Sequence, residues 1–461
     1  MRAVAVLALI VALAGCITLP NAAQVEPAGA AGAPGAFVPP IPEFDWTSVV
    51  DPDHASHQLP ALHTGGHGLK LVGHAALGDI IPPTHRGSIT QVDVWQNYAV
   101  VSGMEGGLAF AIVDITDPAA PKAVSWWPSV ADGWTARFSD DGNYVFYGCQ
   151  MLGAPYVTTS IVLGTCEDPT APHLPGQNVA GVVVVDVSDK AAPKFVHFLP
   201  VGGSHNLYAV AIDGVDYVFT ASTAILKFDR EAQELVQVAE VPGVHDATVA
   251  KHPLTGDWLL FTGTGQLSIY NVNDPTQPQL VYEGEGSEGW TGWHEQTLIP
   301  GVVDGRVILA VAGETFVSPT GVPDRVFFLD VTDPANPTLL SEWAPPFSAT
   351  LPWAGYLYSV HEMAATPTGQ VAVAWYHAGI WVLDVSTQER QESPATLAAY
   401  LPHELPNVVP ATFAQTAIPV VPFVWGAGWD ARGYLVVPDM HTGLYMLEPA
   451  YGLVPAVDSG Q

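Results

Sequence analysis

The stretch VFFLDVTDPANPT at residues 326–338 shows the pattern that decides the fold: an apolar run, an Asp, then a turn that contains Pro. Similar stretches read AFAIVDITDPAAPK at 109–122, VVVVDVSDKAAPK at 182–194, LSIYNVNDPTQPQ at 267–279 and IWVLDVSTQERQE at 380–392. Two weaker copies are ILKFDREAQEL at 225–235 and LYMLEPAYG at 444–452. Seven such units, spaced by roughly 40 to 70 residues, indicate an all-β, seven-bladed β-propeller.

The position that follows each apolar run carries a polar side chain. These residues are Asp114, Asp186, Asp229, Asn271, Asp330, Asp384 and Glu448. An Asp or Asn there can accept hydrogen bonds from backbone N–H groups of the turn, and Pro stops the preceding strand. We therefore place this turn between the third and fourth strands of each blade. In blade three the four strands read LYAVAI (207–212), DYVFTA (216–221), AILKF (224–228) and LVQVAE (235–240).

The seventh unit has no fourth strand of its own, because the sequence runs out shortly after it. A substitute lies near the other end, where LKLVGHAAL (69–77) is similar to the fourth strands PKFVHFLP (193–200) and PQLVYEG (278–284). We expect this N-terminal strand to complete the last blade and close the ring. Closure would remove an exposed strand edge, which otherwise invites aggregation.

The recurring phrase resembles the LVIVD repeat, a propeller-forming unit of extracytoplasmic bacterial and archaeal proteins. The resemblance extends over about residues 69–448, with departures in blades three, six and seven, where the Asp-Pro dipeptide is missing or altered. It implies the propeller fold and an extracytoplasmic setting. It implies no particular activity.

The N-terminus has the features of a lipoprotein signal peptide. Arg2 precedes an apolar segment at 3–12, and Leu13-Ala14-Gly15-Cys16 resembles a lipobox. The apolar segment is too short to cross a bilayer and stop there. The resemblance to lipoprotein signals implies cleavage before Cys16 and attachment of a diacylglyceryl group to its thiol; the alternative is an ordinary cleaved signal.

These features predict the domain organisation and the location. We expect a signal peptide at 1–15, a flexible Ala-, Gly- and Pro-rich tether at 16–46, a lead-in segment at 47–68 and the propeller at 69–461. The membrane is then a partner through the lipid anchor, in the periplasm or at the cell surface. In such an oxidising compartment Cys149 and Cys166, which bracket an insertion in blade two, are expected to form a disulfide. A reactive thiol or a metal-binding role is the alternative.

The charge excludes several classes of partner. The sequence has 45 acidic and 14 basic residues, which gives a formal net charge of −31. Nucleic acids and anionic lipid head groups require basic patches, so we expect neither as a ligand. The acidic excess is explained either by solubility or by a role in binding cations.

Long insertions are predicted on one end of the propeller. Connections from strand four to the next strand one, and from strand two to strand three, open on the same face. We call it the insertion face, since it carries the insertions at 149–180, 313–324, 344–358 and 402–422. Long loops gathered on a rigid scaffold usually form binding surfaces. The leading hypothesis is therefore a binding or scaffold protein that recognises a glycan, a peptide or another protein through this face.

Four consecutive blades carry a His followed by a polar residue at the start of strand one. The pairs are His205-Asn206, His245-Asp246, His294-Glu295 and His361-Glu362. First strands surround the central channel, so the candidate ligands of a divalent metal ion are His205, His245, His294, His361, Glu295 and Glu362. Neighbouring residues on a regular strand point to opposite sides, so a His and its adjacent acid share the channel only where a bulge intervenes. Further candidates for the binding face are His85, Trp134, His377, Trp425, Trp429 and His441.

Three interpretations of these histidines remain open on the sequence. Each His could hydrogen-bond within its own blade, several could hold a metal ion, or one could serve in acid–base catalysis without metal. The second supports an alternative function, a metal-dependent hydrolase or oxidoreductase with a His-rich centre at the channel mouth. A separate cluster of His54, His57, His63 and His67 precedes the first strand and could also bind a metal ion. The sequence assigns no catalytic residue.

Overall fold

Seven antiparallel sheets follow one another around a closed ring in the computed structural model. The first strand of each sheet contacts the first strands of both neighbouring sheets, and the contact between blades seven and one completes the circle. The structure describes residues 37–46, 66–82, 85, 88–104, 107–129, 134–150, 166, 180–202, 204, 206–221, 223–242, 246–263, 266–284, 293–314, 324–346, 359–402 and 423–454. The prediction of a seven-bladed, all-β propeller is confirmed.

Blades one to four each contain four strands in chain order from the axis to the rim. Blade one comprises β3 (Ser88–Trp95), β4 (Tyr98–Met104), β5 (Leu108–Asp114) and β6 (Lys122–Pro128). Blade two comprises β7 (Ala136–Phe138), β8 (Tyr144–Gln150), β9 (Ala180–Asp186) and β10 (Lys194–Pro200). Blade three comprises β11 (Leu207–Ile212), β12 (Val215–Thr220), β13 (Ala224–Asp229) and β14 (Glu234–Glu240). Blade four comprises β15 (Asp246–Lys251), β16 (Trp258–Gly263), β17 (Leu267–Asn271) and β18 (Gln279–Glu283).

Blade five also has its four strands in chain order, whereas blades six and seven each include a strand from the N-terminal part of the chain. Blade five comprises β19 (Trp293–Leu298), β20 (Ile308–Gly313), β21 (Val326–Asp330) and β22 (Thr338–Trp343). Blade six comprises β23 (Met363–Ala365), β24 (Gln370–Ala374), β25 (Ile380–Asp384) and β26 (Ala395–Tyr400), with β1 (Gly66–His67) added outside β26. Blade seven comprises β27 (Gly428–Trp429), β28 (Leu435–Asp439), β29 (Gly443–Pro449) and β2 (Leu69–Ala75). A short helix, α1 (Gln388–Glu392), lies between β25 and β26.

The N-terminal strand closes the ring as predicted. Strand β2 pairs antiparallel with β29, from Leu69 opposite Pro449 to Ala75 opposite Leu444. It supplies the fourth strand that the last unit lacks. The final blade is therefore held by hydrogen bonds between the two ends of the propeller.

The repeated polar side chain has the predicted local role in six of the seven units. In each of these units its side-chain oxygen accepts a hydrogen bond from the backbone N–H two residues later, at 2.8 to 3.0 Å. The bond fixes the start of the turn after strand three. In the seventh unit Glu448 instead lies 3.6 Å from Lys70 of the closing strand. In blade six, which lacks the Asp-Pro dipeptide, helix α1 replaces the usual turn and is capped by the Thr387 side chain.

A β-bulge occurs at the same place in the fourth strand of every blade, which sequence reasoning missed. The residues left outside the pairing are all apolar: Val72, Val124, Val196, Val238, Val281, Leu340 and Leu397. All except Val72 join an apolar cluster shared with the next blade. Because bulges twist an outer strand and interrupt its ladder, they also protect the rim from pairing with other chains.

Residues 37–46, at the end of the predicted tether, lie against blade six. The Phe44 ring stacks on His67 with centroids 3.8 Å apart, and Trp46 lies 6.2 Å from Trp381. Arg390 donates a hydrogen bond to the Pro39 carbonyl at 2.9 Å. The chain has therefore reached the propeller by Pro39, whereas the predicted signal peptide and Cys16 lie outside the described residues.

Cys149 and Cys166 form the expected disulfide, and both residues are buried. The bond ties the end of β8 to the insertion that follows it. In the described part of the chain, no helix combines the length and the apolar character needed to span a membrane.

Candidate metal centre

The four predicted insertions all leave the propeller at one end. They connect β8 to β9, β20 to β21, β22 to β23 and β26 to β27, which are strand-two to strand-three or strand-four to strand-one connections. Most of the insertion residues lie outside the described part of the chain. The flanking strands nevertheless define the insertion face, and the starts of the first strands lie at the same end.

Three side chains converge at this end, between blades five and six. His294 lies at the start of β19, Glu314 follows the last residue of β20, and His361 precedes β23. One potential ligand atom from each lies within 4.8 Å of the other two. The two imidazole centroids are 4.6 Å apart, and all three side chains are buried. A buried group of two imidazoles and one carboxyl is a plausible donor set for a transition metal.

A bulge in β19 allows His294 to join this group. Trp293 pairs with Gly313 and Glu295 pairs with Ala312, so His294 is the extra residue between two paired positions. In blade six the backbone is irregular at the same point, because Ala374 bonds both His361 and Glu362. These irregularities remove the strict alternation of a regular strand. The bulge that the sequence analysis requires at the start of strand one is therefore present in blades five and six.

The His294 imidazole lies between two carboxyl groups. Its Nδ1 atom is 3.2 Å from Asp246 Oδ2, and its Nε2 atom is 3.3 Å from Glu314 Oε2. Burial raises the pKa of both carboxyl groups well above their usual range. A carboxyl group at one ring nitrogen is a common means of orienting a metal-binding His, and Asp246 beside Nδ1 leaves Nε2 facing Glu314.

His361 has a defined tautomer when it is neutral. Its Nδ1 atom is 2.9 Å from the Trp425 carbonyl oxygen, which can only accept a hydrogen bond. The proton therefore resides on Nδ1, and Nε2 carries the lone pair. A backbone carbonyl at the second nitrogen is a common way to fix a metal ligand.

Tyr376 orients the third member of the group. Its hydroxyl donates a hydrogen bond to Glu314 Oε1, so the other carboxyl oxygen, Oε2, faces His294. The backbone of Tyr376 has φ of 38°, in the left-handed region that bulky residues rarely adopt and that costs about 1–3 kcal/mol. Stacking of the ring on Phe423, with centroids 4.7 Å apart, contributes to holding it there. Burial raises the pKa of the phenol well above its usual range, which keeps it a donor.

The observed spacing is close to that of a metal complex. A tetrahedral zinc ion with bonds of about 2.1 Å separates neighbouring ligand atoms by roughly 3.4 Å. The 3.3 Å between His294 Nε2 and Glu314 Oε2 matches this value. Because the ligand atoms lie up to 4.8 Å apart, binding an ion requires the side chains to move inward by about 1 Å. Such a movement is within the range of a side-chain adjustment.

The remaining predicted metal ligands are placed differently. His205 and His245 lie outside the described residues. Glu295 is buried and accepts hydrogen bonds from the Thr297 hydroxyl at 2.5 Å and the Met363 N–H at 3.3 Å. Glu362 reaches towards blade seven, where its Oε2 fills the space that a Cβ would take at Gly426. Neither acid belongs to the convergent group.

The predicted binding-face tryptophans are buried, and they pack between blades. Trp134 and Trp425 have ring centroids 6.2 Å apart, and Trp425 lies 4.3 Å from His361. The Trp429 indole donates a hydrogen bond to the Ala364 carbonyl at 3.2 Å. These three residues therefore form no exposed platform for a sugar ring, although Trp425 packs against His361 of the candidate metal centre.

The other predicted binding-face residues are histidines on three blades. His377 and His441 are buried and lie 4.7 and 6.0 Å from the Phe423 ring. Burial lowers the pKa of His441. His85, in blade one, lies 5.1 Å from Trp126. None of these three is part of the convergent group described above.

The overall class is a seven-bladed β-propeller with a His-carboxyl centre at one end of its axis. The LVIVD repeat family model matches residues 86–126 and 177–198, in blades one and two. Together with the seven blades, this match supports the resemblance to LVIVD-repeat β-propellers. No curated protein matches the sequence. A similar solved structure is the β-propeller domain of Cps50 (Swd1) from Myceliophteria thermophila, with 12% identity, a TM-score of 0.47, and coverage of 79% of this chain and 98% of that one.

Proposed function

We propose that the protein is a metal-binding propeller in which His294, Glu314 and His361 hold one divalent transition-metal ion. The observation that carries the proposal is the convergence of three buried ligand atoms within 4.8 Å. Two further observations support it. Each imidazole has an acceptor near its Nδ1 atom, and Tyr376 fixes the carboxyl group. Such outer contacts orient ligands and raise their affinity for metal.

The ligand set favours a particular kind of ion and chemistry. Two His and one carboxylate occur in zinc hydrolases and in non-haem Fe(II) oxygenases, and in both they leave coordination positions open. An ion held in this way can polarise a bound group or lower the pKa of bound water. We therefore favour a metal-dependent hydrolase or oxidoreductase, with the reacting group bound at the insertion face.

A binding or scaffold role is the second candidate function. It rests on the strand order, which directs all four long insertions to one end of a rigid ring. In this case the ion would stabilise the channel mouth, and the insertions would bind a glycan, a peptide or a protein. The two candidates share the metal centre and differ in whether turnover occurs there.

The proposed location is extracytoplasmic, with the mature chain anchored in the membrane through a lipid on Cys16. The disulfide between Cys149 and Cys166 supports an oxidising compartment, since such bonds are rare in the cytosol. Labelling with radioactive palmitate, compared between wild type and Cys16→Ser, tests the anchor. Equal labelling of the two proteins would contradict it.

Elemental analysis of the protein, purified without a His tag, tests the metal centre. We expect about one equivalent of a transition metal in wild type and in the control His441→Gln, which alters another buried His at the same face. Glu314→Gln should lose the metal while its circular dichroism spectrum stays unchanged. The proposal fails if wild type binds none of Zn(II), Fe(II), Mn(II) or Ni(II) on reconstitution, or if Glu314→Gln retains the metal with unchanged affinity.

A further inference from the structure

Exposed apolar side chains are concentrated where the N-terminal segment reaches the propeller. Phe37, Val38 and Ile41 are 36%, 42% and 56% exposed. Leu453, in the segment that follows β29, is 37% exposed, and the ring of Phe37 lies 6.4 Å from the ring of Tyr451 in that same segment. We call Phe37, Val38, Ile41 and Leu453 the apolar patch. Single exposed apolar residues are normal on a protein surface, whereas a group of them marks an interaction surface.

The other exposed large apolar side chains of the described residues are spread around the ring. They lie in blades two to five, with no more than two in any blade, and they are Phe195, Val236, Leu254, Leu280, Val302 and Leu339. The apolar patch instead brings three such residues together in one stretch of five and adds a fourth from the other end of the chain. It is therefore the strongest candidate in the described structure for contact with an apolar partner.

The apolar patch lies at the end of the propeller opposite the insertion face. Helix α1 follows the third strand of blade six, and its Arg390 donates a hydrogen bond to the carbonyl of Pro39, next to Val38. Tyr451 and Leu453 follow β29, which is the third strand of blade seven. Connections that leave third strands open at the end opposite the insertion face. The apolar patch and the candidate metal centre therefore lie at opposite ends of the ring.

The chain arrives from the proposed lipid anchor at this same patch. Residues 17–36 separate Cys16 from Phe37, and Glu26 is the single charged residue among them. A flexible chain of about 20 residues has a root-mean-square span of about 25 Å. An anchor on Cys16 would therefore hold the apolar patch close to the bilayer. A tether of this length gives the second contact a high effective concentration, so even a weak apolar contact with lipid is occupied.

The charge of the protein favours apolar contact with lipid over electrostatic attraction. The formal net charge is −31, and the exposed Glu43 lies two residues after Ile41. Anionic head groups would be repelled by this charge, whereas zwitterionic lipid carries no such cost. Exposed apolar side chains insert favourably at the boundary between head groups and acyl chains. A bilayer surface of low net charge is thus the partner that fits the patch.

We propose that the apolar patch rests on the bilayer that holds the lipid anchor, so that the insertion face and the candidate metal centre face away from the membrane. This inference rests on the proposed anchor at Cys16. The patch supplies a second, reversible contact with lipid, and this contact fixes the orientation of the ring. Substrates or partners then reach the insertion face from the aqueous compartment.

The test uses the full-length lipidated chain in phosphatidylcholine vesicles, with bromine on the acyl chains of part of the lipid. One Cys is introduced at a time, as Ile41→Cys or Leu453→Cys, and is labelled with a small fluorophore that bromine quenches on contact. Cys149 and Cys166 form the disulfide and Cys16 would carry the lipid, so the new Cys takes the label. We expect quenching at both positions to exceed that at a control position by at least about threefold, because only the patch reaches the acyl chains.

Two control positions lie elsewhere on the surface. Val236→Cys replaces a matched apolar residue, 43% exposed, in blade three, on the far side of the ring from blades six and seven. Glu283→Cys labels an exposed position at the insertion-face end of β18. In a further variant, Val38→Glu with Ile41→Glu, quenching of the label at Leu453→Cys should fall by at least about twofold, since charged side chains are costly among acyl chains.

Flotation with the vesicles separates the possible outcomes, because it reports the anchor independently of the label. If the chain floats but the label at Ile41→Cys is quenched no more than the label at Val236→Cys or Glu283→Cys, the orientation is refuted while the anchor stands. Unchanged quenching at Leu453→Cys in the double Glu variant would also refute the contact. If the chain does not float, the proposed anchor is wrong and this inference fails with it.

Discussion

Replacement of Tyr376 by Phe removes one hydroxyl group from the metal centre and leaves the ring in place. That hydroxyl donates to Glu314, whose side chain is 3% exposed. A hydrogen bond to a charged group is worth about 1.5–3 kcal/mol, and Glu314 must be ionised to bind metal. Its loss raises the pKa of Glu314 further, so the metal must displace a proton that is held more tightly. We therefore expect the dissociation constant for metal to rise about 10- to 100-fold.

The assay is competition for Zn(II) against a chromophoric chelator at fixed pH. The control, Tyr445→Phe, removes another buried hydroxyl, one that is hydrogen-bonded to Thr442 at 2.7 Å in blade seven. Since Tyr445 lies in β29 of blade seven and its hydroxyl contacts Thr442, the metal affinity of Tyr445→Phe should stay within about twofold of wild type. If the Tyr376 hydroxyl had only a structural role, Tyr376→Phe would lower the stability of the protein and leave its affinity for metal unchanged. Equal metal affinity in Tyr376→Phe and wild type would refute the positioning role.

Three further predictions concern stability. Substituting both Cys149 and Cys166 by Ser should lower the unfolding free energy by about 3 kcal/mol, as measured with denaturant under non-reducing conditions; no change would show that the bond does not constrain the unfolded chain. Arg230→Met leaves the buried Asp216 without its ion-pair partner and, because the Arg is 40% exposed, should cost only about 2 kcal/mol in the same assay. Arg230→Lys should recover part of this loss, and wild-type stability in Arg230→Met would contradict the reasoning. A chain that lacks residues 66–78 exposes the edge of blade seven and should associate in light scattering; a monomer of unchanged stability would count against ring closure by β2.

The architecture was predictable because each blade repeats its own turn chemistry. The Asp of the repeat both ends strand three and bonds the turn, so a local signal marks every blade. The missing fourth strand of the last unit and the spare strand at 69–77 then determine closure. The fourth-strand bulges carry no such signal. Their residues are ordinary Val and Leu, and the register shift is a property of the paired strands.

The candidate metal centre could be predicted from the sequence only in part. His294 and His361 occupy the same position in two blades, so the sequence marks both as candidate ligands. The structure places their rings side by side. Glu314 was missed because it follows an unremarkable strand and belongs to no repeated pair. One signal was nevertheless present, since His377 and His441 lie in the strand-two to strand-three turns of blades six and seven. Glu314 begins the same connection in blade five.

Tyr376 could not be identified from the sequence. Its role depends on a left-handed backbone conformation that aims its hydroxyl across to the neighbouring blade. Nothing in the residues around it requires that conformation. The Tyr376 ring packs against Phe423 and Trp425, which are distant in the sequence, and this packing holds the turn in its conformation.

The most direct measurement is anomalous diffraction at the absorption edge of the metal, from crystals of the metal-loaded protein. The account predicts one ion between blades five and six, with His294 Nε2, His361 Nε2 and a Glu314 oxygen each at about 2.0–2.2 Å. An ion bound instead by His54, His57, His63 or His67 would contradict it. So would a loaded protein in which the nearest metal lies outside the reach of all three side chains.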